Sequence, residues 1–269
     1  MKPLPIGVED FKELIEKEYY FVDKTLMIKD LLDKRSKVSL FTRPRRFGKT
    51  LNMSMIQRFF EKTGESNAYL FEGLNISKTG QKYMQHQGRY PVISVSLKSM
   101  KQATYELAYE TYKYIIKDEF RRHRAFIYHA NVLDQEEQRR YDAFLDINAS
   151  DSVYYKAIGF LSVCLERAYH KNVIILIDEY DVPLENSYFC GFYDKMIGLI
   201  RSVFESALKT NPALEFAVLT GCLRISKESI FTGLNNLKVY SVTNNDFSEY
   251  FGFTQSAVSY THLTLPTNS

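Results

Sequence analysis

The 269-residue sequence predicts an α/β protein with a mostly parallel sheet wound by helices on both faces. Three observations carry that expectation. Short apolar runs rich in β-formers recur along the chain, separated by stretches whose apolar residues fall at helical spacing. One run, NVIILIDEYD at 172–181, is apolar without polar alternation, as suits a central strand covered on both sides. Another, Val38–Phe41, passes through a polar loop straight into a helical stretch. With 45% hydrophobic and 25% charged residues, the chain has enough apolar material for one large core.

Residues 1–36 read as an N-terminal segment packing on that core. Pro3–Gly7 is a turn or extended piece, Glu9 and Asp10 cap a short helix to about Lys17, and Tyr20–Thr25 opens a second to about Asp33. The first strand is followed by the loop Thr42–Phe47, then Gly48-Lys49-Thr50, then a helix over Leu51–Glu61. Residues 62–89 suit short helices and loops. Tyr90–Leu97 is a strand with Pro91 near its start, where a missing donor is tolerated. Lys101 to about Arg124 is a long helix ending in Arg121-Arg122-His123-Arg124, a place where the helix dipole favours cations. A charged helix at Asp134–Leu145 and an amphipathic one at Tyr154–His170 lead into the 172–181 strand. Val182-Pro183-Leu184 breaks that strand, and Gly191–Thr210 forms the next helix. Leu214–Leu219 is another buried strand ending in Thr220-Gly221, Ser226–Asn236 is a turn-rich helix-loop, and Lys238–Val242 is the last strand.

The unit strand–loop–GKT–helix has the chemistry of a phosphate site. Unpaired N–H groups at the helix start sit at the positive end of its dipole. Gly48 lets the backbone approach closely, Lys49 brings a point charge to β- and γ-phosphates, and the Thr50 hydroxyl suits Mg²⁺. The full pattern G-x-x-x-x-G-K-[ST] would have glycine where this chain has Arg43. Arg43, Arg45, Arg46 and Lys49 repel one another unless a polyanion such as a metal-bound triphosphate is near. Pro44 stiffens the loop. The candidate cofactor-binding set is therefore Arg43, Pro44, Arg45, Arg46, Phe47, Gly48, Lys49, Thr50 and Leu51, with ATP and Mg²⁺ as cofactors. At the tip of the 172–181 strand, Asp178 is placed to join Thr50 on the metal and Glu179 to polarise an attacking water, a Walker B arrangement. Thr220, at the tip of the following strand, is the candidate γ-phosphate sensor, with Arg224 as a second cation. Phe21 and Val22 stand either in the core or against the nucleotide base.

These residues resemble the AAA-ATPase-like proteins of bacteria, P-loop ATPases that often carry a PD-(D/E)XK nuclease-like domain after the ATPase. The resemblance rests on Pro5-Ile6-Gly7 with Phe11, on Tyr20–Thr25, and on the RPRRFGKT of Arg43–Thr50. Further on it rests on LIDEYD at 176–181, Thr220-Gly221, Arg224-Ile225-Ser226, Ser229-Ile230-Phe231, Gly233–Asn236 and Phe251–Thr254. It spans residues 3 to about 255, and the arginine-rich loop lacking the first glycine is that family's own version. It implies ATP binding and Mg²⁺-dependent hydrolysis on a P-loop domain over 37–255. The family continues into a helical lid and usually the nuclease-like domain, and neither is expected within this sequence. Residues 256–269 hold VSYTHL, which resembles a translated library adapter, and read as a non-native or disordered tail.

Composition narrows the remaining classes. A net charge of +3 is too mild to argue for nucleic acid, which rests on Arg121–Arg124 and the family's nuclease-like partner alone. Cys164, Cys190 and Cys222 lack metal-ligand spacing, and no apolar run approaches a membrane span, so a cytoplasmic chain with no membrane partner is expected. Beside an ATPase switch or motor acting on an attached or partner effector, the 20 tyrosines and the expected loss of the lid motivate a second reading. In that reading the protein binds ATP without turnover and presents a surface to a partner.

Overall fold

The computed structural model describes residues 2–147, 149–222, 230–231, 234 and 236–254. Helix α1 (Phe11–Glu16) starts where the Asp10 carboxylate accepts the N–H groups of Lys12 and Glu13, and α2 (Leu26–Lys34) follows. The strand β1 (Val38–Thr42) is wholly buried and leads through the loop to α3 (Lys49–Phe60). The short α4 (Gln81–Met84) lies among turns before β2 (Val92–Ser96). Then come α5 (Tyr105–Ala130), α6 (Gln135–Leu145), α7 (Asp151–Tyr154), α8 (Ala157–Tyr169) and β3 (Val173–Asp178). After β3 follow α9 (Val182–Cys190), α10 (Tyr193–Phe204), β4 (Leu214–Gly221) and β5 (Leu237–Tyr240).

Among the described residues five strands form one sheet in the order β2-β3-β4-β1-β5, every pair parallel. β4 thus lies between β1 and β3. Its register pairs Thr42 with Gly221 and Ile177 with Leu219, which brings the C-terminal tips of all three strands together. Along β3 the side chains alternate between two cores. Val173, Ile175 and Ile177 pack under α5, α6, α8 and α10, whereas Ile174 and Leu176 pack with Phe41 and Val218 under α1, α2 and α3. Each such buried side chain contributes about 1.5–3 kcal/mol, and both faces are covered, which is why β3 carries no polar alternation.

Three helices differ from the sequence reading. Lys101–Arg124 is α5, which runs on to Ala130 and stops at Asn131 in the left-handed region, so Arg121–Arg124 lie inside the helix rather than at its end. Val182-Pro183-Leu184 does not merely break the strand. It begins α9, because proline in a first helical turn lacks only an N–H that has no partner there. Gly191, at φ 81°, then separates α9 from α10. The 154–170 stretch splits into α7 and α8 around Tyr155 and Lys156. Most of the turn-rich 226–236 stretch, Arg224 and the 256–269 tail lie outside the described residues. No helix among the described residues is long and apolar enough to cross a membrane.

Candidate nucleotide-binding site

The loop between β1 and α3 leaves Pro44–Gly48 exposed at the sheet's C-terminal edge. Two of its residues adopt positive φ, Arg46 at 69° and Gly48 at 76°. Glycine takes that conformation freely, while for Arg46 it stores about 1–3 kcal/mol of strain. No side chain caps α3, so its first-turn N–H groups and positive dipole end face the loop. The Lys49 side chain is buried, and its ammonium folds back into the loop. It donates to the carbonyl oxygens of Arg43 at 2.9 Å and Pro44 at 3.0 Å and meets Cys222 Sγ at 3.3 Å.

On the other side of this cradle stands Asp178, buried at the tip of β3. Its Oδ2 accepts the Thr50 hydroxyl at 2.7 Å, and its Oδ1 accepts both the Thr220 hydroxyl and the Glu179 N–H. One carboxylate therefore ties the start of α3 to the tips of β3 and β4. Next to it Glu179 has φ 54°, a second strained residue at the same edge. Its half-buried carboxyl is pushed above the ordinary glutamate range, first by burial and then by the charge of Asp178, while Lys98 and Lys49 act in the opposite sense. Asp181 is buried and accepts the Cys222 N–H on Oδ2 at 2.7 Å. Gly221 is required here: a Cβ would meet the Tyr180 ring at 2.5 Å and Asp181 Oδ1 at 2.8 Å.

A largely apolar cleft of about 340 Å³ opens beside the loop, within the ~300–1,000 Å³ span of small-ligand sites. Phe21 and Val22 line it from the N-terminal segment, Phe47, Gly48 and Leu51 from the loop and α3, and Tyr250 and Phe253 from the segment after β5. The cleft and the β1–α3 loop share Arg46, Phe47 and Gly48, so a ligand with an anionic end and a flat apolar end could span both. Thr50 and Asp178 offer oxygen ligands beside Thr220, and that hard donor set fits Mg²⁺ completed by phosphate and water oxygens.

Of the residues expected from the sequence, Lys49, Thr50, Asp178, Glu179 and Thr220 gather at one edge. The three loop arginines diverge. Arg45 is 74% exposed at its side chain and reaches Glu185 at 3.5 Å, and Arg46 lines the cleft. Arg43 is turned inward, 3% exposed, with burial pulling it below the ordinary arginine range. The Arg121–Arg124 cluster is partly consumed as well. Arg122 binds Glu61, Glu119 and the Val92 carbonyl, and His123 is buried against Glu119. The sequence reads Cys222 as a buried small hydrophobe, but it is half-buried and meets Lys49 because it follows Thr220 at the tip of β4 by two residues. Sequence reasoning passed over Asn52, whose amide donates to the Tyr250 carbonyl at 2.9 Å. The clustered aromatics Phe247, Tyr250, Phe251 and Phe253 were the available signal for the cleft's far wall.

An uncharacterized protein from the vnfD 5' region of Azotobacter chroococcum mcd 1 is 28% identical to this chain over 259 residues, which is 96% of this chain and 44% of that protein. The chain thus spans less than half the length of that relative. No solved structure matches the chain. A family model described as "Predicted AAA-ATPase" matches residues 5–231, and together with the parallel sheet and the cradle at its edge this makes the chain a member of the AAA-ATPase-like family.

Proposed function

We propose that this protein binds ATP with Mg²⁺ and hydrolyses it, using the cycle as a switch for an attached or partner effector. The supporting observation is the junction at Asp178, where hydroxyls from the start of α3 and the tip of β4 meet on a single carboxylate. Lys49 and the first-turn N–H groups of α3 would hold the phosphates, and the base would lie in the cleft against Phe21, Phe47 and Leu51. Thr50 and Asp178 would hold Mg²⁺, which when bound neutralises charge on the β- and γ-phosphate oxygens. Glu179 would orient the attacking water, and Thr220 would report the γ-phosphate to Asp178. The chemistry is mostly positioning and charge stabilisation, which fixed cations and dipoles supply.

The test is phosphate release by Glu179→Gln. Loss of the water-orienting carboxylate is expected to cut turnover by about a hundredfold while ATP still binds. Unchanged turnover with intact binding would remove Glu179 from that role. Wild-type protein that binds ATP and releases no phosphate above a Lys49→Ala control would favour the interaction-module reading instead.

A further inference from the structure

Arg43 stands where the full phosphate-loop pattern has glycine, yet its side chain does not join the loop's exposed face. Its Nη1 donates to the carbonyls of Thr42 at 2.9 Å and Tyr240 at 2.6 Å, linking the ends of β1 and β5. Nη2 is buried and finds no hydrogen-bond partner among the described residues. The Phe251 ring lies under the guanidinium at 4.9 Å and offers its π face to the buried charge. Phe251 is itself buried, and it packs on Phe41 of β1 at 5.3 Å between ring centres.

Arg43 is one of several groups by which the phosphate loop grips residues 247–253. Gly252 N–H donates to the Phe47 carbonyl at 3.1 Å, and a Cβ on Gly252 would meet the Phe47 ring at 3.1 Å. Asn52, one turn into α3, holds the Tyr250 carbonyl, and the Tyr250 hydroxyl reaches Asp30 of α2 at 2.7 Å. The gripped segment is the same one that walls the apolar cleft through Tyr250, Gly252 and Phe253. We infer that Arg43 is a positioning residue: it does not touch phosphate but locks the 247–253 strap against the loop and so shapes the base side of the nucleotide cleft. This rests on the nucleotide reading above and deepens it, because it separates the residues that serve the phosphates from those that serve the base.

The experiment compares two probes, Mg²⁺-ATP and Mg²⁺-tripolyphosphate, titrated calorimetrically into wild type, Arg43→Met, Arg43→Lys, Phe251→Leu and Lys49→Ala. For Arg43→Met the expected result is a loss of about tenfold in ATP affinity, with tripolyphosphate affinity within about threefold of wild type. Phe251→Leu should show the same split, and combining it with Arg43→Met should add little. Arg43→Lys keeps the charge but loses the planar fork over the ring, so it should not rescue. Equal losses on both probes, or rescue by lysine, would make Arg43 a phosphate ligand and overturn the inference. Affinities unchanged on both probes would make it a mere occupant of the glycine position, with the same consequence. Should Arg43→Met fail to melt cooperatively, Phe251→Leu, which leaves the Arg43 hydrogen bonds in place, decides by the same split. Lys49→Ala is expected to lose both probes. If it binds both like wild type, the phosphate-loop reading falls first and this inference with it.

Discussion

Gly221→Ala adds one methyl group at the most crowded point of the site. The new Cβ would sit 2.5 Å and 2.8 Å from two Tyr180 ring carbons and 2.8 Å from Asp181 Oδ1, closer than such atoms approach in folded proteins. Neither neighbour can yield cheaply. Tyr180 is fully buried and packs on Phe231 and Phe204 at 5.6 Å and 6.3 Å between ring centres, while Asp181 holds the Cys222 N–H. The strain must then move the tip of β4, which also carries Thr220. Overpacking of this kind costs about 1–3 kcal/mol. At about 2–4 °C per kcal/mol, a mid-range cost of about 2 kcal/mol lowers the thermal midpoint by about 4–8 °C. The control is Gly198→Ala, the same chemical change on the exposed side of α10, where an added Cβ meets nothing within 4 Å. There the gain in helix propensity should stabilise by about 0.5–1 kcal/mol. Melting curves by circular dichroism read both signs. A Gly221→Ala midpoint equal to or above wild type would refute the packing described for the tips of β3 and β4.

Arg122 neutralises two carboxylates whose side chains are 7% exposed, Glu61 and Glu119. Arg122→Met should therefore destabilise by about 3 kcal/mol in chemical denaturation, and an unchanged midpoint would show that the charges are not buried together. Burial alone would raise Glu119, but hydrogen bonds and charge from His123 and Arg122 outweigh it and hold the carboxyl at about 2. A depressed folded value means stability that is fully present above the ordinary glutamate range and lost as pH falls toward about 2. Glu119→Gln should flatten that acid limb, whereas an unaltered pH profile would contradict the assignment. Finally, in a Cys190→Ser background a maleimide should label Cys222, and Mg²⁺-ATP should slow the labelling. Equal rates with and without nucleotide would place Cys222 away from the occupied site.

Much of the fold was legible because its strongest signals are local. The unbroken apolar run of β3 and the turn into α3 each declare themselves within about a dozen residues, and the parallel sheet follows from their alternation with helices. Asp10 announced its helix as a side-chain cap, and that cap is present. What stayed hidden depends on tertiary contact. Pro183 reads equally as a strand breaker or as a first-turn residue, and only the packing of α9 decides. The end of α5 was obscured because Arg121–Arg124 mimic a cationic helix terminus. Arg122 instead faces two buried carboxylates, Glu119 one turn back in α5 and Glu61 from the end of α3. Arg43 reads as one more loop cation, since nothing near it in sequence reveals that Tyr240 and Phe251 lie beneath it. Cys222 shows no metal or catalytic spacing, and its meeting with Lys49 is a product of strand order.

The most direct measurement is calorimetric titration of ATP, with and without Mg²⁺, into wild type, Lys49→Ala and Asp178→Ala. If Lys49, Thr50 and Asp178 enclose one metal-bound triphosphate, Lys49→Ala loses at least about tenfold in affinity under both conditions. Asp178→Ala then loses the increment that Mg²⁺ gives the wild type and keeps the metal-free affinity. Wild-type affinity in Lys49→Ala, or an Mg²⁺ increment that survives in Asp178→Ala, would contradict the shared site at the tips of β1, β3 and β4.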